Sequence, residues 1–108
     1  MNVTMYARLG DRTLSISGRT PRNNPGRTDQ RYMKLLEKNG LSLETVQTFM
    51  HIEHVGKDIL FSYMFSEKFG GWIFSVNHGK TSVCYGPMTF EETQKETLDI
   101  CVRMGVCY

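Results

Sequence analysis

Apolar and polar side chains alternate with a period of two over most of residues 58–85, and this feature constrains the fold more than any other. The positions that share one side of the three successive runs are Ile59, Phe61, Tyr63, Phe65, Trp72, Phe74, Val76, Thr81, Val83 and Tyr85. A glycine pair separates the first two runs, and a turn at 77–80 separates the last two. Because successive side chains of a strand point to opposite faces, the pattern predicts an antiparallel meander that Gly86 and Pro87 end.

A second pair of alternating runs precedes the meander. Residues 3–9 and residues 12–17 each place apolar side chains at every second position. Gly10 and Asp11 lie between them, and a Gly-Asp pair between two alternating runs is typical of a β-hairpin. We therefore expect the chain to begin with two antiparallel strands.

Two segments carry apolar residues at helical spacing. The first runs over 29–39, where Asp29 supplies an N-cap and a glycine follows the last turn. The second runs over 89–104 and begins with Thr89 and Glu92, a hydroxyl and a carboxylate at capping-box spacing. A glycine also follows this segment, so the sequence predicts two helices with defined ends.

The segment 41–55 fits either a helix or a strand. As a helix capped by Ser42, it aligns Leu43, Val46, Phe49 and Met50 on one side. As a strand, it alternates over residues 46–53, and its high content of β-branched residues favours this second interpretation.

These elements together predict one α+β domain over residues 1–108. Its element order is ββ-α-ββββ-α, with two helices packed on one face of a mostly antiparallel sheet. Residues 18–28, rich in proline, glycine and asparagine, form a loop between the second strand and the first helix. The expected hydrophobic core consists of Leu14, Ile16, Leu36, Ile59, Phe61, Phe74, Val83, Leu98 and Cys101.

Composition excludes several classes of protein. With 40% hydrophobic and 22% charged residues, the chain is neither disordered nor a coiled coil. No apolar run approaches the roughly 18–20 residues of a membrane span, and residues 1–6 lack the basic and apolar regions of a signal peptide. The three cysteines form no Cys-x-x-Cys pair, which favours reduced thiols and a cytoplasmic protein. We expect Cys84 and Cys101 in the core and Cys107 at a frayed end.

The charge is distributed unevenly along the chain. Residues 1–38 hold eight basic and three acidic side chains, a net charge of +5, whereas residues 39–108 have a net charge of −3. Arginine forks bind carboxylates and phosphates in two-point geometry. The candidate partner-binding residues are therefore Arg12, Arg19, Arg22, Arg27, Arg31 and Lys34.

Motifs for catalysis or metal binding are missing from the sequence. It contains no nucleophile elbow, no phosphate-binding loop and no dinucleotide fingerprint. His51 and His54 would share a face only on a helix, and on a strand they point to opposite faces. With His78 at a turn, we expect no catalytic residues, no metal site and no cofactor.

These observations favour a small cytoplasmic, non-enzymatic interaction protein of the adaptor or inhibitor type, a class that includes viral proteins directed against host machinery. It would bind a protein partner through its basic N-terminal third, without contact to a membrane. One alternative is a nucleic-acid-binding domain that uses the arginine-rich loop, with bases stacking on sheet aromatics. The other is a small enzyme or metal protein built around His51, His54 and His78.

Overall fold

Six strands and two helices form the described part of this computed structural model, which covers residues 2–19 and 30–106. The strands are β1 (Asn2–Leu9), β2 (Arg12–Arg19), β3 (Thr48–His54), β4 (Lys57–Ser66), β5 (Gly71–His78) and β6 (Thr81–Met88). The helices are α1 (Gln30–Lys38) and α2 (Phe90–Arg103), and a short 3-10 helix lies at Leu43–Thr45. This element order confirms the predicted α+β class.

All six strands belong to one antiparallel sheet with the order β2-β1-β3-β4-β5-β6. Both helices pack on the same face of it. Thr48 and Tyr63 lie opposite each other in the β3–β4 register, and each hydrogen-bonds to a different helix. The Thr48 hydroxyl lies 3.0 Å from Tyr32 of α1, and the Tyr63 hydroxyl lies 2.7 Å from Thr97 of α2. The other face of the sheet carries no helix of the described chain, and we call it the open face.

The core lies between this sheet and the helices. Most of the expected core residues are buried there or pack against it. Leu36, Ile59, Phe61, Phe74 and Cys101 are buried, and Ile16 and Leu98 are partly buried against them; Leu14 is half-buried. Burial of apolar surface on this scale supplies the main stabilisation of the fold.

Two of the core predictions are wrong, and both concern β6. Val83 faces the helices yet remains 39% exposed, and Cys84 on the opposite side of the strand is exposed as well. The physical reason is that α2 packs on β5 and does not extend over β6. The strand is also longer than predicted, because a register shift between Trp72 and Phe74 lets it continue to Met88.

The ambiguous segment 41–55 divides into two elements. Ser42 caps the short 3-10 helix, donating its backbone N–H to Thr45 Oγ1 at 3.0 Å. β3 then begins at Thr48, in agreement with the β-branched composition. The helical and the extended interpretation each apply to part of the segment.

The ends of α2 show why this helix lies where it does. Its N-cap Thr89 accepts a hydrogen bond from the backbone N–H of Glu92 at 3.1 Å, as the capping box predicts. At the other end Lys57 donates to the carbonyl of Met104 and so connects the β3–β4 turn to the helix C-terminus. A cation at this end also complements the helix dipole.

No helix within residues 2–19 and 30–106 is both long enough and apolar enough to cross a lipid bilayer.

Candidate interaction surface

Helix α1 lies alongside the edge strand β2 and runs antiparallel to it. At one end, Arg12 at the start of β2 donates through Nη2 to Oδ1 of Asn39, just beyond α1, at 3.4 Å. At the other end, Nη2 of Arg31 stands 2.8 Å from the position that a Cβ would take on Gly18. The end of the Arg31 side chain therefore lies close to Gly18 of β2. These two contacts fix the direction of α1 along the edge of the sheet.

One side of α1 is basic and exposed. Tyr32 and Leu36 point into the core, whereas Arg31, Lys34 and Lys38 follow each other at spacings of three and four residues on the outer side. With Arg12 beyond the C-terminus of the helix, these residues form a row, which we call the basic face (Arg12, Arg31, Lys34 and Lys38). The nine-residue helix alone gives this row a length of roughly 13 Å.

The structure brings together those predicted binding residues that it describes. Arg12, Arg31 and Lys34 share the basic face. Arg22, Arg27 and the side chain of Arg19 lie outside the described residues. Lys38 belongs to the face but was not among the predicted residues, although its spacing of four from Lys34 is a signal that the sequence contains.

The sheet aromatics that could have stacked on nucleic-acid bases belong mainly to the core. Phe61, Tyr63, Trp72 and Phe74 are buried. The rings of Phe61 and Phe74 stack on each other at 5.9 Å, centroid to centroid, beneath the helices. Phe65 is half-buried and Tyr85 is 38% exposed. Most of these aromatic residues are therefore core residues.

A different aromatic cluster lies on the open face. The rings of Tyr6 and Phe49 stack with centroids 5.0 Å apart and planes 14° apart. The guanidinium carbon of Arg8 lies 5.6 Å from the centroid of Phe49, in cation–π geometry. The Phe49 ring thus has contacts with both a stacked ring and a cation. Sequence reasoning missed this cluster, because the alternation of β1 drew attention to the opposite side of the strand.

Two tyrosine hydroxyls are buried under the helices and are satisfied there. Tyr63 donates to Thr97 Oγ1, which in turn donates to the carbonyl of Thr93 at 2.8 Å. Burial raises the pKa of Tyr63, and the hydrogen bond to Thr97 opposes that rise only in part. Burial raises the pKa of Tyr32 in the same way. Both hydroxyls are therefore neutral at physiological pH.

The histidines are distributed over both faces of the sheet. His51 and His54 lie at odd spacing in β3 and point to opposite faces, as expected for a strand. His51 Nε2 lies 2.7 Å from Oδ1 of Asp58 on the open face, and His78 Nδ1 lies 3.1 Å from the carbonyl oxygen of Asp58. Within the described ranges, no three His, Cys, Asp or Glu side chains converge to form a metal site.

Comparisons of this chain with protein-family models, with curated proteins and with solved structures return no match.

Proposed function

We propose that this chain is a non-enzymatic interaction protein of the adaptor or inhibitor type, which binds the acidic surface of a protein partner through its basic face. The observation that carries this proposal is the row of exposed cations along α1, continued by Arg12 beyond the end of the helix. In the sequence, Arg22 and Arg27 fall between β2 and α1. Carboxylates of a partner would receive two-point hydrogen bonds from the arginines and point charges from the lysines.

Fold stability accounts for only part of the basic face, namely the contacts that Arg12 and Arg31 make beside β2. Exposed charges contribute little to the free energy of unfolding, and Glu37 is the only acidic residue of α1. Arg31 lies in the first turn of α1, where the helix dipole favours acidic side chains over basic ones. The exposed Lys34 in the middle of this helix therefore supports a role in binding.

The aromatic residues support a protein partner rather than a nucleic acid. Single-stranded nucleic acids stack their bases on exposed aromatic faces beside a positively charged groove. In this chain, Phe61 and Phe74 are fully buried, and Phe49 on the open face already stacks on Tyr6 and contacts Arg8. The cations of α1 thus have no free aromatic platform beside them among the described residues.

The cysteines support a reducing compartment, and we place the protein in the cytoplasm. Cys101 is a buried residue of α2, while Cys84 is an exposed free thiol on an edge strand. Exposed free thiols are stable in the cytosol, where glutathione and thioredoxin keep them reduced.

Affinity capture with the immobilised chain tests the proposal. The bait is compared with a Lys34→Ala/Lys38→Ala variant and with a matched control, Lys68→Ala/Lys95→Ala, which loses two exposed lysines elsewhere. We expect the wild type and the control to retain the same protein from a host-cell extract, with and without nuclease. The basic-face variant should retain it at least tenfold less, because charge pairs at an interface steer and hold the complex.

Thermal unfolding of the three baits supplies the control for folding, and their melting temperatures should agree within a few degrees. Equal retention by the basic-face variant would contradict the proposal. Loss of retention on nuclease treatment would support the nucleic-acid alternative instead. In that case the affinity for an oligonucleotide would fall steeply as the salt concentration rises. Each phosphate contact that a variant loses would lower the slope of log affinity against log salt concentration by about one.

A further inference from the structure

Strand β6 ends the sheet without the cover that the neighbouring strands have. In β5, Trp72, Phe74 and Val76 are buried under α2. In β6, Val83 and Tyr85 face the same side but are 39% and 38% exposed. Between this strand and α2 lies an open groove of about 340 Å³. Its lining includes Val83 and Tyr85 of β6, His78 at the end of β5, and Ile100, Arg103 and Met104 at the end of α2.

The first five residues of β6 form an unprotected edge. Natural sheet edges are usually blocked by charged side chains, prolines or bulges. The stretch 81–85 contains none of these, whereas beyond it the β5–β6 register shifts and Pro87 removes a backbone donor. The opposite edge strand, β2, differs because it begins with Arg12 and has α1 alongside. The stretch 81–85 is therefore open to pairing with a further strand along its length.

From this edge we propose that a second copy of the chain pairs with β6 in antiparallel orientation, about a two-fold axis at Val83. The stretch 81–85 has an odd number of residues, so the axis falls on its central one. Val83 then faces Val83 of the second copy, and Thr81 faces Tyr85 of the second copy. The helix-side members of each strand are apolar or β-branched, which suits cross-strand contact. Because both copies use the same edge, the assembly closes at two chains.

The charges along α2 fit this two-fold arrangement. Ile100 and Arg103 both line the groove beside β6. Because α2 begins directly after β6 and its last turn lines the groove together with Thr81, the helix runs back along the strand, with Arg103 toward Thr81 and Glu96 toward Tyr85. Arg103 lies three residues after Ile100 and Glu96 four residues before it, which is about 4.5 Å and 6 Å along the helix in opposite directions. At spacings of four and three, all three residues share the side of α2 that faces β6.

A two-fold axis through Val83 makes α2 of the second copy run in the opposite direction to α2 of the first. It brings Arg103 of one copy to the level of Glu96 of the other, and it does so twice. Arg103 is exposed, donating through Nε to the carbonyl of Asp99 at 3.4 Å, and Glu96 is half-buried. This charge complementarity favours a second copy of the chain over an unrelated apolar strand as the occupant of the groove. The dimer is independent of the basic face, which lies along the opposite edge of the sheet.

The oligomeric state of the full chain tests the proposal by sedimentation velocity over a dilution series. We expect a species of twice the chain's mass that dissociates on dilution. Val83→Arg places two like charges at the axis and should leave a monomer, whereas Thr13→Arg, an exposed position in the opposite edge strand, should leave the dimer unchanged. A wild type that stays monomeric at millimolar concentration would overturn the proposal. So would a monomer that binds an extended peptide of another protein in the groove.

Charge reversal tests the register. Arg103→Glu and Glu96→Arg should each weaken the dimer by about tenfold, since each creates two like-charge contacts, and the double variant should restore it. Failure of the double variant to restore the dimer would contradict the two-fold arrangement.

Cross-linking in a Cys84→Ser background gives an independent measurement. Val83→Cys should form an interchain disulfide under a mild added oxidant, because directly facing Cα atoms of a non-hydrogen-bonded pair lie about 4.5 Å apart. Tyr85→Cys should not, since its two copies would be displaced by four residues, roughly 13 Å along the strands. The reverse result would refute the register and with it the proposal.

Discussion

Replacement of Phe74 by alanine tests the account of the core most severely. Phe74 is fully buried in β5 and lies at the centre of an aromatic cluster. Its ring centroid is 5.9 Å from that of Phe61, 5.4 Å from that of Tyr63 and 5.8 Å from that of Tyr85. The Phe74→Ala substitution removes three ring contacts and leaves a cavity in the core.

The expected loss is about 4 kcal/mol, from the usual range of roughly 3–5 kcal/mol for a buried phenylalanine. A domain of this size has a total stability of roughly 5–15 kcal/mol. At about 4–8 °C per kcal/mol, the melting temperature should fall by roughly 15–30 °C.

Urea denaturation followed by circular dichroism gives this free energy directly. Tyr85→Ala is the matched control, because Tyr85 contacts the same ring from the uncovered strand β6 and is 38% exposed. We expect it to lose less than half as much as Phe74→Ala. Losses of under about 1 kcal/mol for Phe74→Ala, or equal losses for the two variants, would refute the assignment of the buried face.

Three further predictions follow from local geometry and titration. Val55 has a φ of 50° and is 84% exposed in the β3–β4 turn, so Val55→Asn should stabilise the fold by about 0.5–1 kcal/mol in urea denaturation. A Cβ on Gly86, whose φ is 128°, would stand 2.7 Å from the carbonyl oxygen of Trp72, so Gly86→Ala should cost about 2 kcal/mol or more in the same assay. The raised pKa values of Tyr32 and Tyr63 mean that the unfolded chain loses these protons first, above pH 10. The free energy of unfolding should therefore fall above that pH, by up to about 1.4 kcal/mol per pH unit for each tyrosine, and a pH series on Tyr63→Phe should show a shallower decline.

The fold was predictable because its signals are local. Alternation at every second residue identifies strands, and Thr89 with Glu92 marks the start of α2 without reference to any distant residue. The errors at Val83 and Cys84 have a common origin. Alternation shows which side chains share a face, but whether a helix covers that face depends on the sideways position of α2, which is set by long-range packing.

The candidate site was predictable only in part, for a similar reason. The sequence indicated that Arg12, Arg31 and Lys34 belong to a basic region, but it could not show that α1 runs antiparallel to β2 and so joins them into one row. Lys38 was within reach, since its spacing of four from Lys34 is visible in the sequence. The stacking of Phe49 on Tyr6 depends on the β1–β3 register, which connects residues more than forty positions apart.

Hydrogen exchange of the chain, alone and in the complex recovered by affinity capture, tests the central claim most directly. The claim is that the partner covers the basic face. Amide exchange in α1 (Gln30–Lys38) should slow in the complex, while α2 and the β4–β5 turn should exchange as they do in the free chain. Unchanged exchange in α1, together with protection elsewhere on the surface, would show that the partner binds at another site and would contradict the account.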